Sequence, residues 1–310
     1  MFRRGGPAGE AVFAARAEDR SLASTFRNSL PHPPEFKLEI IEIKRGRPRN
    51  PLEEEYRVGS WYSGWVMRVY VILPAAGIGT RMSAGVVHGT GTAAPKQFLT
   101  IGGVPILIHS LRAFLAVERV AAVYVAVRGA EIERVRAQIA DFGLGERVHV
   151  VEGGENRQES VGKALAAVGL EAGAQAGDVV LVHDAVRPLI DGPTIERTID
   201  AIGKHGAAIV GMPAVDTIKQ VERTADGAII TSTIPRERVV HAQTPQGAKY
   251  EVLKRAFNEA DADGFLGTDE ASLLERAGVE VAVVAGNARN FKITQPGDIE
   301  LAEFYLAGAR

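Results

Sequence analysis

Residues 69–82 join a run of apolar side chains to a loop of small residues that contains one arginine. Val69–Leu73 is rich in β-branched residues, which is typical of a strand buried on both faces of a parallel sheet. The loop behind it contains Gly77, Gly79 and Arg81. Glycines let backbone N–H groups turn towards an anion, and arginine supplies a permanently charged planar fork that suits phosphate. The stretch therefore indicates a loop that holds a phosphorylated ligand.

Two well-known phosphate-binding fingerprints do not fit this loop. The dinucleotide fingerprint needs a third glycine at the position where Met82 stands. The P-loop needs a closing Gly-Lys-Ser/Thr, which the stretch lacks. On this stretch alone, an ordinary glycine-rich turn between a strand and a helix stays open as an alternative.

Further polar and charged residues follow the other predicted strands. They are Lys96, Gly154, Glu155, Ser160, Asp184, Arg187, Arg236, Thr244, Thr268 and Lys292. Open parallel sheets bind ligands at the carboxyl ends of their strands, so we expect these residues to meet around one ligand. Several cations with hydroxyls and a few carboxylates suit a polyanion. Asp184 is placed to hold a magnesium ion or a substrate hydroxyl.

Several of these residues also have a purely structural interpretation. Glu155 and Ser160 stand where a helix begins, and residues 268–270 can be the N-cap of the next helix. Arg187 precedes a proline and can cap a turn. The functional interpretation therefore depends on all of them lying at the same end of the predicted sheet.

His183 and Lys292 have structural alternatives of their own. His183 lies inside a buried strand and is expected to be a hydrogen-bonded core residue rather than a ligand. Lys292 lies in an alternating segment that indicates a strand, where a lysine is usually solvated.

Strand and helix patterns alternate from Met67 to the end of the chain. The predicted strands are Val69–Leu73, Ala122–Val127, Val148–Val151, Val179–His183, Ala207–Gly211 and Val279–Val284. The predicted helices are one that Pro105 opens, Glu131–Asp141, Glu159–Val168, Pro193–Lys204, Lys249–Glu259, Asp269–Arg276 and Pro296–Leu306. This alternation predicts an α/β fold with a mostly parallel, Rossmann-like sheet and helices on both faces.

Residues 215–240 break the alternation. Asp226 and Gly227 separate two segments of alternating hydrophobicity, which is a strong signal for a β-hairpin. We expect this arm, about residues 214–238, to project from the domain and to pair with a second subunit, so that the protein is a homodimer.

Composition limits the classes of function. The net charge of −2 provides no general basic field for nucleic acid or membrane binding. The absence of cysteine excludes disulfides, thiolate catalysis and cysteine-ligated metals. No apolar run is long enough to span a membrane, and no secretory signal is visible. We therefore expect a cytoplasmic protein that partners neither nucleic acid nor membrane.

Residues 1–66 differ from the rest, with clustered prolines and dense charge of both signs. We interpret them as a mostly disordered extension preceding the domain at 67–310. The run Arg45–Pro48 resembles an AT-hook core, and the arginines of the first thirty residues suit a transit peptide, although acidic residues stand among them. The interpretation that we favour is that translation starts at Met67.

From Met67 to Arg310 the chain resembles the 2-C-methyl-D-erythritol 4-phosphate cytidylyltransferase family of the non-mevalonate isoprenoid pathway. Each motif alone is weak, but together, in this order, they are specific. The motifs lie at 74–82 (which includes Ala75-Ala76-Gly77), 95–98, 153–160, 183–188, 216–217, 235–236, 244–246, 268–270 and 290–294.

The resemblance implies a reaction in which the phosphate of methylerythritol phosphate attacks the α-phosphorus of CTP. The products are 4-CDP-2-C-methyl-D-erythritol and pyrophosphate, and Mg²⁺ or another divalent cation bridges the CTP phosphates. By resemblance, Arg81 and Lys96 stabilise the transition state, and Arg236 and Lys292 hold the attacking phosphate.

The resemblance also implies two binding sets. The CTP set is Ala75, Ala76, Gly77, Gly79, Gly154, Glu155 and Ser160. The substrate set is Asp184, Arg187, Thr217, Thr244 and Thr268. In the family the hairpin crosses a homodimer, so Thr217 and Arg236 would serve the neighbouring subunit's site.

The chain departs from the family pattern at two places, and two other functions stay open. Residues 83–94 are longer than the usual connection, and Glu155 stands where the family more often has aspartate. A ribitol-5-phosphate cytidylyltransferase shares many motifs, but Ala76 favours methylerythritol phosphate. A non-catalytic nucleotide-binding protein is disfavoured because Arg81 and Lys96 are both retained.

Overall fold

The structure, a computed structural model, describes residues 67–77 and 96–308. The predictions for residues 1–66, for Gly79 and Arg81, and for the segment 83–94 lie outside the described residues.

Eleven strands and seven helices occur in the described ranges. The strands are β1 (Val69–Pro74), β2 (Thr100–Ile101), β3 (Val104–Pro105), β4 (Val120–Val127), β5 (Val148–Glu152), β6 (Val179–Val182), β7 (Ala207–Pro213), β8 (Ile218–Thr224), β9 (Gly227–Ile234), β10 (Val240–Lys249) and β11 (Ala282–Ala285). The helices are α1 (Ile106–Leu115), α2 (Ile132–Asp141), α3 (Arg157–Glu171), α4 (Gly192–His205), α5 (Tyr250–Ala262), α6 (Glu270–Arg276) and α7 (Pro296–Ala307). None of these helices is long and apolar enough to cross a membrane.

Seven strands form one sheet in the order β11-β7-β10-β6-β1-β4-β5. Every neighbouring pair is parallel except the two that involve β10, which runs antiparallel to both β6 and β7. The carboxyl ends of the other six strands consequently lie along one edge. The expectation of a mostly parallel α/β sheet is confirmed.

The sheet is covered on both faces because its central strands are apolar on both faces. In β1, Val69, Val71 and Leu73 pack in a core with α1, α2 and α4. Tyr70 and Ile72 point the other way and pack with α3, α5 and α6. Successive side chains of a strand point to opposite faces of the sheet. A strand that is covered on both faces therefore needs a continuous apolar run.

Strand β10 was not among the predicted strands. Its buried half contains Gln243, Pro245 and Gly247, residue types that are depleted in strands, so its composition concealed it. Gly247 is required where β10 passes β6, because a methyl group there would overlap the carbonyl oxygen of Val180. The reversed direction of β10 brings its first half to the edge where the parallel strands end.

Strands β8 and β9 form a separate two-stranded antiparallel sheet, as the hairpin signal predicts. The turn residues are Ala225 and Asp226, and Gly227 follows with φ of 144°, a value that side chains disfavour. All residues of the two strands are exposed except Ile218 and Ile234 at the base.

Candidate active site

A cleft of about 710 Å³ opens at the carboxyl ends of β1, β4, β5 and β6. Nine predicted site residues line it: Ala75, Ala76, Gly77, Lys96, Gly154, Glu155, Ser160, Asp184 and Lys292. Most of the described candidates therefore surround one space, as expected at the strand ends of an open parallel sheet.

The loops after β1 and β5 form one wall and approach each other closely. The Gln97 side chain donates to the carbonyl oxygen of Ala75 at 2.6 Å, and Arg128 Nε donates to that of Ala76 at 2.9 Å. A methyl group on Gly153 would lie 2.9 Å from the Ala76 Cβ and 3.0 Å from Ser160 Oγ. The glycine is therefore needed for the two loops to meet.

The first turn of α3 shapes the floor of the cleft. Asn156, rather than Glu155, is the N-cap, and its side chain accepts from the Glu159 N–H at 2.9 Å. Ser160 Oγ accepts from the Gly154 N–H at 2.9 Å and donates to the Asn156 carbonyl at 2.8 Å. Ser160 thus lines the cleft and also fixes the glycine-rich turn, whereas Glu155 is exposed.

Asp184 is the centre of a cluster of cations. Its Oδ1 accepts from Arg157 Nε at 3.1 Å, and its Oδ2 accepts from Lys292 Nζ at 2.9 Å, with Arg187 Nε 3.6 Å away. Burial alone would raise the pKa of Asp184, but the charges of Arg157, Lys292 and Arg187 outweigh it and hold the pKa well below its ordinary value. Asp184 is therefore an ionised carboxylate that organises three cations.

Thr244 lies behind Asp184 and is buried rather than exposed to the cleft. Its Oγ1 accepts from the Asp184 N–H at 3.1 Å and lies 3.0 Å from His183 Nδ1. His183 Nε2 lies 3.0 Å from the Arg187 carbonyl oxygen. A neutral His183 that is protonated on Nε2 satisfies all these contacts, since the Thr244 hydroxyl then donates to Nδ1.

His183 is the buried core residue that the sequence predicts. Burial lowers its pKa from 6.5 to about 4, against the raising effects of its backbone contact to Arg187 and of the Asp184 charge. The imidazole is therefore neutral at physiological pH, and it braces the turn that carries Asp184 and Arg187.

Lys292 does not lie in a strand, which corrects the expectation of an alternating strand there. Residues 291–294 are irregular backbone after β11. Ile293 anchors the segment in a small apolar cluster, so that Lys292 extends towards Asp184. The same segment meets Lys96, whose Nζ donates to the Thr294 carbonyl oxygen at 3.0 Å.

Besides Thr244, four further predicted site residues do not line this cleft. Arg187 is mostly buried behind Asp184 and donates to the Asn290 carbonyl oxygen at 2.8 Å. Thr217 and Arg236 are exposed beside the hairpin, and Arg236 donates to the Val215 carbonyl oxygen at 2.9 Å. Thr268 is exposed immediately before α6, where Asp269 is the N-cap.

Charged residues that were given no role in the sequence also line the cleft. They are Arg128, Glu152, Arg157 and Lys163. Arg128 and Glu152 could have been found, since each stands at the carboxyl end of a strand. Lys163 gave no such signal, because it lies in the second turn of α3 and reaches back to the Gly153 carbonyl oxygen at 3.0 Å.

The charge of the lining favours an anionic ligand. Five cations, Lys96, Arg128, Arg157, Lys163 and Lys292, face three carboxylates, Glu152, Glu155 and Asp184. The glycine-rich turns add backbone close to the ligand space without side chains in the way. The fold and the site therefore define an α/β protein whose cleft, at the carboxyl edge of a parallel sheet, suits a phosphorylated ligand such as a nucleotide.

Comparison with known proteins identifies the family. A family model described as 2-C-methyl-D-erythritol 4-phosphate cytidylyltransferase matches residues 69–308. The protein of that name from Acidobacterium capsulatum is 65% identical over 240 residues, which cover 77% of this chain and 98% of that protein. The protein of that name from Solibacter usitatus is 49% identical over 240 residues, or 77% of this chain and 96% of that protein.

Solved structures agree with this result. A crystal structure of 2-C-methyl-D-erythritol 4-phosphate cytidylyltransferase from Thermus thermophilus is 33% identical, with a TM-score of 0.60, and the match covers 78% of this chain and all of that one. The chain belongs to the 2-C-methyl-D-erythritol 4-phosphate cytidylyltransferase family and is therefore a nucleotidyltransferase.

Proposed function

We propose that the protein transfers CMP from CTP to 2-C-methyl-D-erythritol 4-phosphate, giving 4-CDP-2-C-methyl-D-erythritol and pyrophosphate. The observation that carries this proposal is the cation-lined cleft at the strand ends of a chain that belongs to this family. Catalysis consists of positioning and of electrostatic stabilisation, because an in-line attack of phosphate on phosphorus needs no covalent intermediate on the protein.

CTP binds against the wall made by the β1 and β5 loops. Ala75, Ala76 and Gly77 lie on one side, and Gly154, Glu155 and Ser160 lie on the other. Lys96 lines the cleft beside residues 292–294, so its ammonium group stabilises the negative charge of the triphosphate and of the transition state. Arg81 and Gly79 complete the loop in this proposal.

The polyol phosphate binds near Asp184. Lys292 holds the attacking phosphate, and its ammonium group is directed by the 2.9 Å contact with Asp184 Oδ2. Arg187 and Thr244 support the Asp184 turn from behind. In this arrangement Lys96 serves the triphosphate of CTP and Lys292 serves the attacking phosphate, which suits an in-line geometry.

Magnesium enters this proposal together with the triphosphate. Among the described residues, no group of three or more acidic or histidine side chains could hold a metal ion by itself. Both Asp184 oxygens already accept hydrogen bonds from cations. Mg²⁺ commonly keeps phosphate oxygens and water with only one or two carboxylates, so the cleft fits an ion that arrives bound to CTP, with Asp184 as the candidate protein ligand. Such an ion would neutralise charge on the phosphates.

The hairpin is the dimerisation arm in this proposal. Ile229 and Ile230 are 62% and 60% exposed, and Val221 is 46% exposed, so a hairpin in water carries apolar area that a second subunit would cover. Thr217 and Arg236 lie at its base, outside the cleft of their own chain. Both residues are therefore available to the partner's site, together with the exposed Thr268.

A cytoplasmic location stays a prediction.

The alternative substrate, ribitol 5-phosphate, is not favoured. The family model that matches the chain is the methylerythritol phosphate one, and the A. capsulatum and S. usitatus relatives carry the same name.

A pyrophosphate-release assay tests the proposal directly. The full chain is incubated with CTP and Mg²⁺ and is offered methylerythritol phosphate or ribitol phosphate in separate reactions. We expect pyrophosphate with the first and a much lower rate with the second. No turnover of methylerythritol phosphate would overturn the proposal, and faster turnover of ribitol phosphate would replace it with the alternative.

A further inference from the structure

Glu270 is a fully buried carboxylate that does not line the cleft. It is 1% exposed, and both of its oxygens accept hydrogen bonds from one guanidinium. Arg157 Nη1 donates to Oε1 at 2.7 Å, and Arg157 Nη2 donates to Oε2 at 2.9 Å. Burial raises the pKa of Glu270, and the charge and the two hydrogen bonds of Arg157 oppose this rise. The bidentate geometry is the one that an ionised glutamate makes with a guanidinium.

The same guanidinium also holds Asp184. Arg157 Nε donates to Asp184 Oδ1 at 3.1 Å. A guanidinium is planar and rigid, so the two bonds to Glu270 fix the direction in which Nε points. The position of Glu270 consequently determines where the Asp184 carboxylate is held, and through it the Lys292 ammonium at 2.9 Å.

Glu270 is itself firmly placed. It is the first residue of α6, whose N-cap Asp269 accepts from the Ser272 N–H at 3.0 Å. The buried Gln246 of β10 donates to Asp269 Oδ2 and accepts from the Ala271 N–H, both at 2.9 Å. A path of short contacts thus runs from the central sheet through Glu270 and Arg157 to the cleft.

Stability alone does not explain this arrangement. Burying an ion pair carries a desolvation cost, and a well-packed apolar pair of similar volume commonly stabilises a fold as well or better. We propose that Glu270 is a positioning residue: acting through Arg157, it fixes the Asp184 carboxylate and the Lys292 ammonium in the orientation that receives the polyol phosphate. This inference rests on the proposed function of the cleft.

The first test is E270Q, which keeps the shape of the side chain and removes its charge. The control is E275Q, the same change at an exposed position of α6. We expect E270Q to lower kcat/KM for methylerythritol phosphate by about 10- to 100-fold, the loss typical when a partner that orients an active side chain is removed. The KM for CTP and the activity of E275Q should be unchanged. A comparable increase in the KM for CTP would overturn the proposal. An unchanged kcat/KM for methylerythritol phosphate would also overturn it.

A double-mutant cycle separates positioning from a general effect on the fold. If Glu270 acts through Asp184, E270Q should have little further effect on kcat/KM in a D184N background. Multiplicative losses would show that the two residues act independently. If E270Q does not fold, R157K replaces it in both experiments, because lysine keeps the charge but cannot bind two carboxylates with a fixed fork.

A third readout does not depend on turnover. Competitive acetylation followed by peptide mass spectrometry measures the accessibility of each lysine amine. We expect the labelling of Lys292 to rise in E270Q relative to the wild type and to E275Q, with the other lysines unchanged. Unchanged labelling of Lys292 would overturn the positioning role. Absence of turnover in the wild type, with increased labelling in E270Q, would instead refute only the proposed function.

Discussion

Lys96 is the described cation that the proposal assigns to the developing charge at phosphorus. Its Nζ is held by the Thr294 carbonyl oxygen at 3.0 Å, and the side chain lines the cleft. We expect K96A to lower kcat by about 100-fold or more, the effect seen when a charge-stabilising group is removed from a preorganised site. Steady-state pyrophosphate release measures this.

The matched control for this prediction is K204A, at an exposed position of α4 remote from the cleft lining. K204A should have the wild-type kcat. Near-normal turnover in K96A would contradict the assignment of Lys96 to the stabilisation of the transition state.

His183 makes stability depend on pH. Its pKa falls from 6.5 in the unfolded chain to about 4 in the fold, so between these values the unfolded state binds the extra proton. The contribution of the neutral imidazole is therefore complete above pH 6.5 and is lost as the pH falls towards 4. The change corresponds to about 3 kcal/mol of unfolding free energy.

Urea unfolding of the wild type and H183Q at several pH values between 4 and 7 measures this effect. Glutamine can still donate to the Arg187 carbonyl oxygen but does not titrate in this range. The stability of the wild type should decline relative to that of H183Q as the pH is lowered. Parallel curves for the two proteins would contradict the buried, neutral state of His183.

For single residues, the sequence predicts which ones lie at the site better than it predicts which side chains they contact. Asp184 could be placed at the cleft because it closely follows a buried strand, and position relative to a strand is a local property. The sequence did not indicate that Arg157 joins Asp184 to Glu270, which is 113 residues further along the chain. A pairing at that separation leaves no local signal in one sequence.

Among the elements, the central parallel strands and the hairpin were predictable, and β10 was not. Parallel strands that are buried on both faces have continuous apolar runs, and the Asp226-Gly227 pair marks the place where the chain reverses between the hairpin strands. The polar residues of β10 serve the site and the helix α6 instead of an apolar face. Because these residues are polar, β10 lacks the apolar pattern by which a strand is predicted from sequence.

The hairpin provides a test of the proposed homodimer. Val221 and Ile230 are partners across β8 and β9 and share one face of the hairpin. We expect I230D to shift the protein from dimer to monomer, since a buried unpaired carboxylate would oppose association. Light scattering coupled to size-exclusion chromatography gives the mass.

The control for this prediction is L170D, which changes a leucine that is 87% exposed on α3, outside the hairpin. It should leave the mass at that of the wild type. A wild-type chain that is already monomeric, or an I230D variant that stays dimeric, would rule out the hairpin as the dimerisation arm.

Considered as a whole, the molecule converges on its cleft from distant parts of the chain. Residues near positions 75, 96, 128, 155, 184 and 292 line one space, because the parallel strands β1, β4, β5 and β6 end beside it. The sheet therefore positions the site residues, and the contacts between them leave little trace in the local sequence. This explains why a mostly parallel α/β sheet could be predicted from the alternation of strands and helices, whereas the internal ion-pair network could not.

Residues 67–310 should be sufficient for the reaction. The family match spans residues 69–308 and the alignment covers 98% of the A. capsulatum relative, and every residue assigned to the cleft lies within that range. We expect a protein that begins at Met67 to keep the kcat and both KM values of the full chain. Fluorescence anisotropy with an AT-rich duplex, at several salt concentrations, measures whether Arg45–Pro48 gives the full chain any DNA affinity that the shorter one lacks. Loss of turnover on truncation would mean that residues 1–66 contribute to the catalytic domain, and salt-sensitive duplex binding by the full chain alone would establish a second function for them.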